Sequence, residues 1–534
     1  MKAFATLLDR LSYEPRRNEK LRHIVRYLRE APDPDRGYAL AALCGALDIP
    51  AVKPAMLRAL VAERVDPVLF GLSYDFVGDL SETIALIWPA QFTGSNNAPL
   101  HLAEVISTLL SASRREGPQL IARWLDDLDE TGRWALLKLV TGALRVGVSA
   151  LLARQALAEF SGHPVEEIEE VWHGVEPPYT DLLAWLEGRG PRPDPSAALT
   201  FRSPMLAHPI EDEDFETLQP ADFHAEWKWD GIRIQAATRR NGLARDVRLF
   251  SRSGDDITTS FPDLIEALPE NAVIDGELVV ARDALIATFS DLQQRLNRKV
   301  VSAAMLRDSP VALMAYDLLQ VEGEDLRPLP LPQRLARLEA LVAAKAHPRL
   351  MLSPAVPFES WEALAEKRAQ SAENAAIEGV MLKRLDSPYL AGRPKGFWYK
   401  WKRDPMIADC VMMYAQRGHG KRSSYYSDFT FGVWEGEKLV PVGKAYFGFT
   451  DEELKGLDRF VRQNTINRFG PVREVVHEPQ SGLVLEIAFE GLQESTRHRS
   501  GLAMRFPRIH RIRTDKKPAE ADRIETLRSL LRSG

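Results

Sequence analysis

The chain has 534 residues, 45% of them apolar and 27% charged, a balance that excludes a disordered chain and supports more than one hydrophobic core. Two cysteines, Cys44 and Cys410, are too few for a disulfide framework or a four-ligand zinc site, which excludes a zinc-finger module. A formal net charge of -6 gives no overall attraction to a polyanion, so any nucleic-acid contact has to come from local basic patches.

The opening Met1-Lys2-Ala3-Phe4-Ala5 leads into no sustained apolar stretch, and no run approaches bilayer-spanning length. The expectation is a soluble cytoplasmic protein with no membrane partner, acting as a monomer. As far as about Gly190, apolar residues recur at three- and four-residue steps, as over 20–30 and 134–144, and predict an all-α domain. Within it Arg16, Arg17, Lys20, Arg22, Arg26 and Arg29 form one basic patch, as readily a solvated face as a phosphate contact. Gly188-Arg189-Gly190-Pro191-Arg192-Pro193-Asp194-Pro195 favours extended chain over helix and sets a first boundary, giving a domain over 1–195.

Short β-like runs follow at 233–237, 247–250, 272–274 and 278–280 with helical pieces between, which predicts an α+β domain over 196–405. Past Asp404-Pro405 the chain reads as strands at 409–415, 429–435, 439–442 and 483–489, with a helical insert at 452–464. A small C-terminal β-barrel over 406–534 is the expectation, and the fold class is multidomain α+β. Two more basic patches fall here, Lys400-Lys402-Arg403 and the tail running from Arg497 to Lys516-Lys517.

Chemistry concentrates in Glu226-Trp227-Lys228-Trp229-Asp230-Gly231-Ile232-Arg233. A lysine, a spacer, Asp and Gly would arise by chance roughly once in several thousand positions, so a surface lysine before a turn competes with a reactive one. Further motifs follow in order: Ser251-Arg252-Ser253-Gly254, Asp275-Gly276-Glu277-Leu278, Ala315-Tyr316-Asp317, Glu378-Gly379-Val380-Met381-Leu382-Lys383 and Trp398-Tyr399-Lys400-Trp401-Lys402. An amine attacks phosphorus only when unprotonated, so a nucleophilic Lys228 needs its pKa depressed by burial or by cations such as Lys400 and Lys402. Those lysines, with one or two Mg²⁺ (or Mn²⁺) ions on Glu277 and Glu378, would also neutralise charge on a phosphate.

Together these motifs resemble the lysine nucleotidyltransferases, specifically the ATP-dependent DNA ligases, over about two-thirds of the chain. The resemblance implies ATP as cofactor, nicked double-stranded DNA as partner, and a bacterial accessory ligase with a helical DNA-binding domain, a nucleotidyltransferase domain and an OB-fold. It implies Lys228 as the residue that takes AMP, Glu226 on adenine, Arg233 and Arg252 near the ribose and phosphates, and Tyr316 stacked on the base. Glu277, Lys383, Lys400 and Lys402 complete the nucleotide set. Arg393, followed by Pro394, stands one residue out of the usual place for its nucleotide contact.

The tail Arg505-Phe506-Pro507-Arg508, followed by Arg511-Ile512-Arg513-Thr514-Asp515-Lys516, is similar to the last family motif. It implies that Arg511, Arg513, Asp515 and Lys516 serve AMP loading. Leu144-Arg145-Val146-Gly147-Val148-Ser149 resembles the loop that holds duplex DNA, with Arg145 on a phosphate and Gly147 permitting close approach; a helix C-cap at Gly147 explains the glycine equally well. Gly418-His419-Gly420-Lys421-Arg422-Ser423 lacks the spacing of a P-loop and resembles a glycine-rich hairpin in which Lys421 and Arg422 touch a DNA backbone or merely end a turn. The rival readings are an RNA ligase or capping-type guanylyltransferase, against which the helical third argues, and a non-catalytic DNA clamp, against which the complete reactive set argues. An NAD-dependent ligase would need a four-cysteine module that two cysteines cannot build.

Overall fold

The computed structural model describes residues 1–77, 79–89, 99–142, 144–194, 199–282, 285–287, 289–293, 295–296, 298, 301–371, 374, 376–417, 425–495 and 498–532. The chain divides into two compact units. One comprises Met1–Val165, Val175–Arg192 and Pro405–Leu531; the other comprises Glu166–Gly174, Pro193–Asp404 and the last three residues.

The first unit begins as a set of helices. Arg17–Glu30 buries one face, through Ile24, Val25 and Leu28, whereas Glu130–Thr141 is buried on all sides, with Ala135 through Val140 enclosed in succession. The second of these stops three residues short of the apolar pattern because Gly142 adopts φ 68, a left-handed cap that glycine reaches without strain. Gly147 is therefore not the C-cap. It lies in the loop that ends at Ser149, whose side chain caps the next helix, Ala150–Ser161. No described helix is long and apolar enough to cross a membrane.

The same unit carries the C-terminal β-rich region. Its central strand, Met406–Arg417, pairs with Tyr426–Glu435, Val472–Val475 and Val484–Phe489 in turn. Alternate residues of these strands enclose a core of Phe429, Phe431, Val433, Leu485, Ile487 and Phe489. The helix Asp451–Asn464, begun by a Thr450/Glu453 capping box, covers that core with Leu454, Leu457 and Val461.

The second unit holds two sheets. In the larger, Ala244–Ser251, Ile232–Asn241, Ala272–Arg282 and Val311–Val321 are neighbours in that order. The two short β runs expected over 272–280 are one strand, since Gly276 does not interrupt it: a Cβ there would meet Met314 O at 2.8 Å, so this glycine lets adjacent strands approach. The smaller sheet has the order His208–Pro209, Trp398–Lys402, Ile377–Arg384, Phe223–Trp229. The larger sheet is apolar on both faces, with Ile234, Ile274 and Leu313 in one cluster and Ala237, Val273 and Leu319 in another, and the polar motif residues Glu226, Asp275 and Lys383 are buried among these elements.

Candidate active site

The period of two along a strand explains how the motif residues gather. In Phe223–Trp229, Phe223 and Ala225 enter an apolar cluster with Val380, Leu382 and Tyr399. His224, Glu226 and Lys228 therefore take the opposite face. Across the ladder Lys228 is paired with Gly379, Glu226 with Met381 and His224 with Lys383, and beyond them stand Lys402, Lys400 and Trp398. Four motif lysines and Glu226 thus share one face.

Two glycines permit the close spacing. A Cβ on Gly231 would lie 2.4 Å from Leu278 O and 2.8 Å from Glu277 Cγ, so the turn after Lys228 crosses directly over the Glu277 strand. Gly379 has φ 143, and its Cβ would meet Trp401 O at 2.2 Å. The ladder register shifts between Ile377 and Gly379, and this irregularity falls on Glu378. A bulge re-aims a side chain, and here Glu378 Oε2 accepts from Lys228 Nζ at 2.5 Å, with Lys402 Nζ 3.8 Å away.

These groups perturb one another. Burial pushes Glu277 up to about 8; Lys228 and Arg233 pull it down, while Glu378 and Asp275 push it further up. Burial alone would lower the Lys228 pKa, but the negative charges of Glu378, Glu277 and Asp230 outweigh it, and the ammonium is raised above its ordinary value. The depressed lysine expected from the sequence is thus not Lys228 in this ligand-free arrangement. It is Lys400, lowered by burial and then by Lys402, Arg393, Lys228 and Arg252. The cations act where expected; the two carboxylates beside Lys228 override them.

Glu226 is 2% exposed, with Lys383 Nζ 2.8 Å and His224 Nε2 3.4 Å from its Oε1; burial pushes its carboxyl up, but the charges of Lys383 and His224 outweigh it and hold the carboxyl below the ordinary value. Lys383 also donates to Tyr316 O at 3.0 Å and stands 4.5 Å from the Tyr316 ring centre. Lys383 thus anchors Glu226 and Tyr316 from within the core. Arg233 is equally engaged: Nε and Nη2 donate to Asp275 at 3.1 and 2.6 Å, Nη2 to Tyr389 Oη at 3.1 Å, and Nη1 to Met205 O at 2.8 Å. Arg252 and Arg393 are exposed and close enough to Lys400 for their charge to act on it.

Sequence reasoning missed Tyr389, which donates to Asp275 Oδ2 at 2.6 Å and completes the Arg233 node; its Ser-Pro-Tyr setting carries no signal. It also missed the buried pair Arg334–Asp317, at 2.8 Å, which secures the strand bearing Tyr316. Asp317 stood within a quoted motif, but Arg334 lies on a helix and looks like an ordinary amphipathic position.

The remaining site residues lie in the other unit or outside the described residues. Arg145 is exposed with φ 50, and Gly147 has φ 66. Lys20, read as part of a basic patch, is only 8% exposed and faces the chain's interior. Arg16, Arg22 and Arg26 of that patch are paired with Glu14, Glu19 and Glu30. Lys421 and Arg422 fall outside the described residues. In the tail, Arg511 binds Glu486 at 3.1 Å, Arg513 binds Asp515, Glu486 and Asp409 at 2.7, 3.1 and 3.3 Å, and Lys516 binds Asp409.

Residues 1–158 match the family model for the DNA ligase N terminus, 204–402 the ATP dependent DNA ligase domain, and 422–516 the ATP dependent DNA ligase C terminal region. A probable DNA ligase of Koribacter versatilis is 36% identical over 429 residues, covering 74% of this chain and 72% of that protein. DNA ligase 1 of Korarchaeum cryptofilum is 29% identical over 552 residues, covering 99% and 98%. The solved structure Pmar-Lig_Pre shares the fold, with a TM-score of 0.61 over 96% of this chain and 99% of that one at 16% identity. A helical N-terminal region, a nucleotidyltransferase domain and a C-terminal β-rich domain follow one another in one chain, and this chain belongs to the ATP-dependent DNA ligases, which form phosphodiester bonds in DNA through an adenylate intermediate.

Proposed function

We propose that Lys228 is the nucleophile of an ATP-dependent sealing reaction at nicks in duplex DNA. The observation that carries this reading is a half-buried lysine with its amine on Glu378, set on one strand face with Glu226, Lys400 and Lys402. The Nζ lone pair forms a bond to the α-phosphorus, the bond from that phosphorus to the bridging oxygen breaks, and pyrophosphate leaves with the electrons. AMP then passes from Lys228 to the 5′-phosphate of the nick, and the 3′-hydroxyl displaces AMP as the phosphodiester forms. Each is a phosphoryl-type transfer in which positioning and charge supply most of the acceleration.

The side chains suit these tasks. Buried Glu226, held by Lys383, is a carboxylate acceptor suited to the amino group of a base, and Tyr316, steadied by Lys383, offers a ring beside it. Lys400, Lys402, Arg252 and Arg393 bring positive charge to the phosphates. Arg233 has four of its five N–H donors already engaged, so it gives a nucleotide at most one. Glu277 and Glu378 would hold Mg²⁺ or Mn²⁺, whose chemistry is to neutralise phosphate charge; a pair of carboxylates, completed by phosphate oxygens and water, suits that ion. In the ligand-free chain Glu378 and Glu277 keep the Lys228 ammonium charged. Were the charge of Glu277 and Glu378 taken up by such an ion, burial would favour the neutral amine with only Asp230 opposing it.

On this reading residues 1–195 grip duplex DNA through Arg145 and Gly147, 196–405 perform the transfers, and 406–534 form an OB-fold. Lys421 and Arg422 touch the DNA backbone, and Arg511, Arg513 and Lys516 serve AMP loading, with Asp515 of the same motif paired to Arg513. The test is incubation with radiolabelled ATP and Mg²⁺, denaturing electrophoresis, and a chase with nicked DNA. Label should join the wild-type chain and leave it on the chase, and Lys228→Arg should take none, because a guanidinium is not appreciably deprotonated. Persistent labelling of Lys228→Arg would remove Lys228 from this role.

A further inference from the structure

Lys20 is a buried cation without a counter-ion. It projects from the helix Arg17–Glu30, is 8% exposed, and has no carboxylate within ion-pairing distance among the described residues. Burial lowers its pKa, and only Glu14 acts against that. Removing an ammonium from water without a partner is costly, so its acceptors have to be good ones. They are two consecutive backbone carbonyls of the loop 144–149: Nζ donates to Val146 O in a short contact and to Gly147 O at 3.2 Å.

This capture dictates the conformation of the loop. In a planar trans peptide the C=O and N–H point in opposite directions, so drawing the Val146 and Gly147 carbonyls toward Lys20 turns the Gly147 and Val148 amides away from it. Among the described residues neither amide has an intramolecular acceptor. The conformation uses left-handed backbone at Arg145 and Gly147, and a Cβ on Gly147 would lie 2.4 Å from Lys20 Nζ. The glycine is required both by its φ and by the lysine beneath it. Two free amides and the exposed Arg145 side chain are donors suited to phosphate oxygens, and the ammonium behind them adds a positive charge that nothing in the loop cancels.

We propose that Lys20 is the positioning residue of the DNA-contacting loop, holding the Val146 and Gly147 carbonyls inward so that the Gly147 and Val148 amides and Arg145 meet a backbone phosphate. The inference rests on the reading of this loop given under Proposed function. It makes an exposed glycine and a buried lysine 127 residues away parts of one device.

The test uses the full chain and nicked duplex DNA, with affinity measured by fluorescence anisotropy over a range of salt concentrations, alongside thermal unfolding. Lys20→Met keeps the aliphatic packing and removes the donors and the charge. It should weaken DNA binding at least ~10-fold and make the plot of log affinity against log salt shallower by about 1, as for loss of one phosphate contact, without lowering the unfolding midpoint. Lys20→Gln, which keeps a donor for one carbonyl, should fall between Met and wild type. A folded Lys20→Met with unchanged affinity and slope, while Arg145→Ala weakens binding, would overturn the role of Lys20 and leave the loop reading standing. If neither variant weakens binding, the loop reading fails and the proposal with it. Should Lys20→Met not fold, Lys20→Gln decides by the same measurements. If neither folds, Lys20 is a structural residue only, and the proposal is overturned.

Discussion

Lys228 and Lys516 each rest against a carboxylate, Glu378 in one case and Asp409 in the other, yet their surroundings differ in what is left unsatisfied. Around Lys228 the charges compete: burial holds Glu277 near 8, and Lys400 is depressed by burial and by other cations. Around Lys516 they cancel, because Arg511, Arg513 and Lys516 share Glu486, Asp409 and Asp515. On the proposed function, the Lys228 face is an environment suited to phosphate and cation. The tail is complete without a ligand and has to give up partners before it can serve one.

The sharpest way to break this comparison is to remove the carboxylate at the competing site. Glu378→Gln should slow transfer of label from ATP to the chain by at least ~100-fold, in the range seen when a charge-stabilising group is lost from a site of this kind. Because Glu378 is the largest of the charges raising Lys228, the residual labelling should also reach half its plateau at a lower pH than in the wild type. A rate loss with an unmoved pH profile would mean that Glu378 does not control the ionisation of Lys228.

The tail should respond less, and in only one of the steps. Arg513→Ala with Lys516→Ala should slow formation of the lysine adduct by at least ~10-fold, while sealing of a pre-adenylated nick falls far less. Such a split follows if the tail meets the leaving pyrophosphate and the C-terminal domain then reorients to admit DNA. Equal losses in the two assays would reject a role confined to AMP loading.

Glu277 offers a smaller effect, read in stability. A carboxyl whose folded value is raised costs nothing below its ordinary 4.5 and costs most above about 8, so in the metal-free chain stability should fall as pH rises through that window. Urea unfolding in the presence of a chelator should show this slope, and Glu277→Gln should flatten it. Restoring Mg²⁺ to the wild type should flatten it too, since a bound cation favours the ionised carboxylate. A slope that persists in Glu277→Gln would place the proton uptake elsewhere.

Much of this architecture was legible because period and punctuation are local. The strands at 233–237, 247–250, 429–435 and 439–442 and the helix at 452–464 all fall inside observed elements, since alternation and a Thr450 cap need only neighbours in sequence. The gathering of the motif lysines with Glu226 and Glu378 was legible through the order of their motifs. What was not legible is pairing across the chain. Nothing near Lys20 indicates that it folds under Gly147, nothing near Tyr389 points to Asp275, and the sign of the Lys228 shift depends on two carboxylates about 50 and 150 residues away whose burial no window of sequence contains. The error over Lys228 has the same origin: the cations stood in one visible cluster, whereas the bulge that aims Glu378 is a property of the ladder.

The smallest expected effect separates members of the tail from one another. Arg511, Arg513, Asp515 and Lys516 were taken together from one motif, but they do not stand alike. Arg513 side chain is 12% exposed and is gripped by Asp409 and Glu486, whereas Asp515 is 63% exposed and touches the network through Arg513. Removing an exposed partner from an arginine that keeps two others costs little, because surface ion pairs are screened and weak. Asp515→Ala should therefore change the rate of adduct formation by no more than ~2-fold, against ~10-fold for the double substitution of its basic neighbours. The measurement is single-turnover labelling of both variants with the same ATP and Mg²⁺. A loss in Asp515→Ala as large as that of the double variant would show that the carboxylate itself acts in AMP loading, by orienting Arg513 or engaging the cation. The tail would then resemble the Lys228 face, with a carboxylate and a base held together for chemistry.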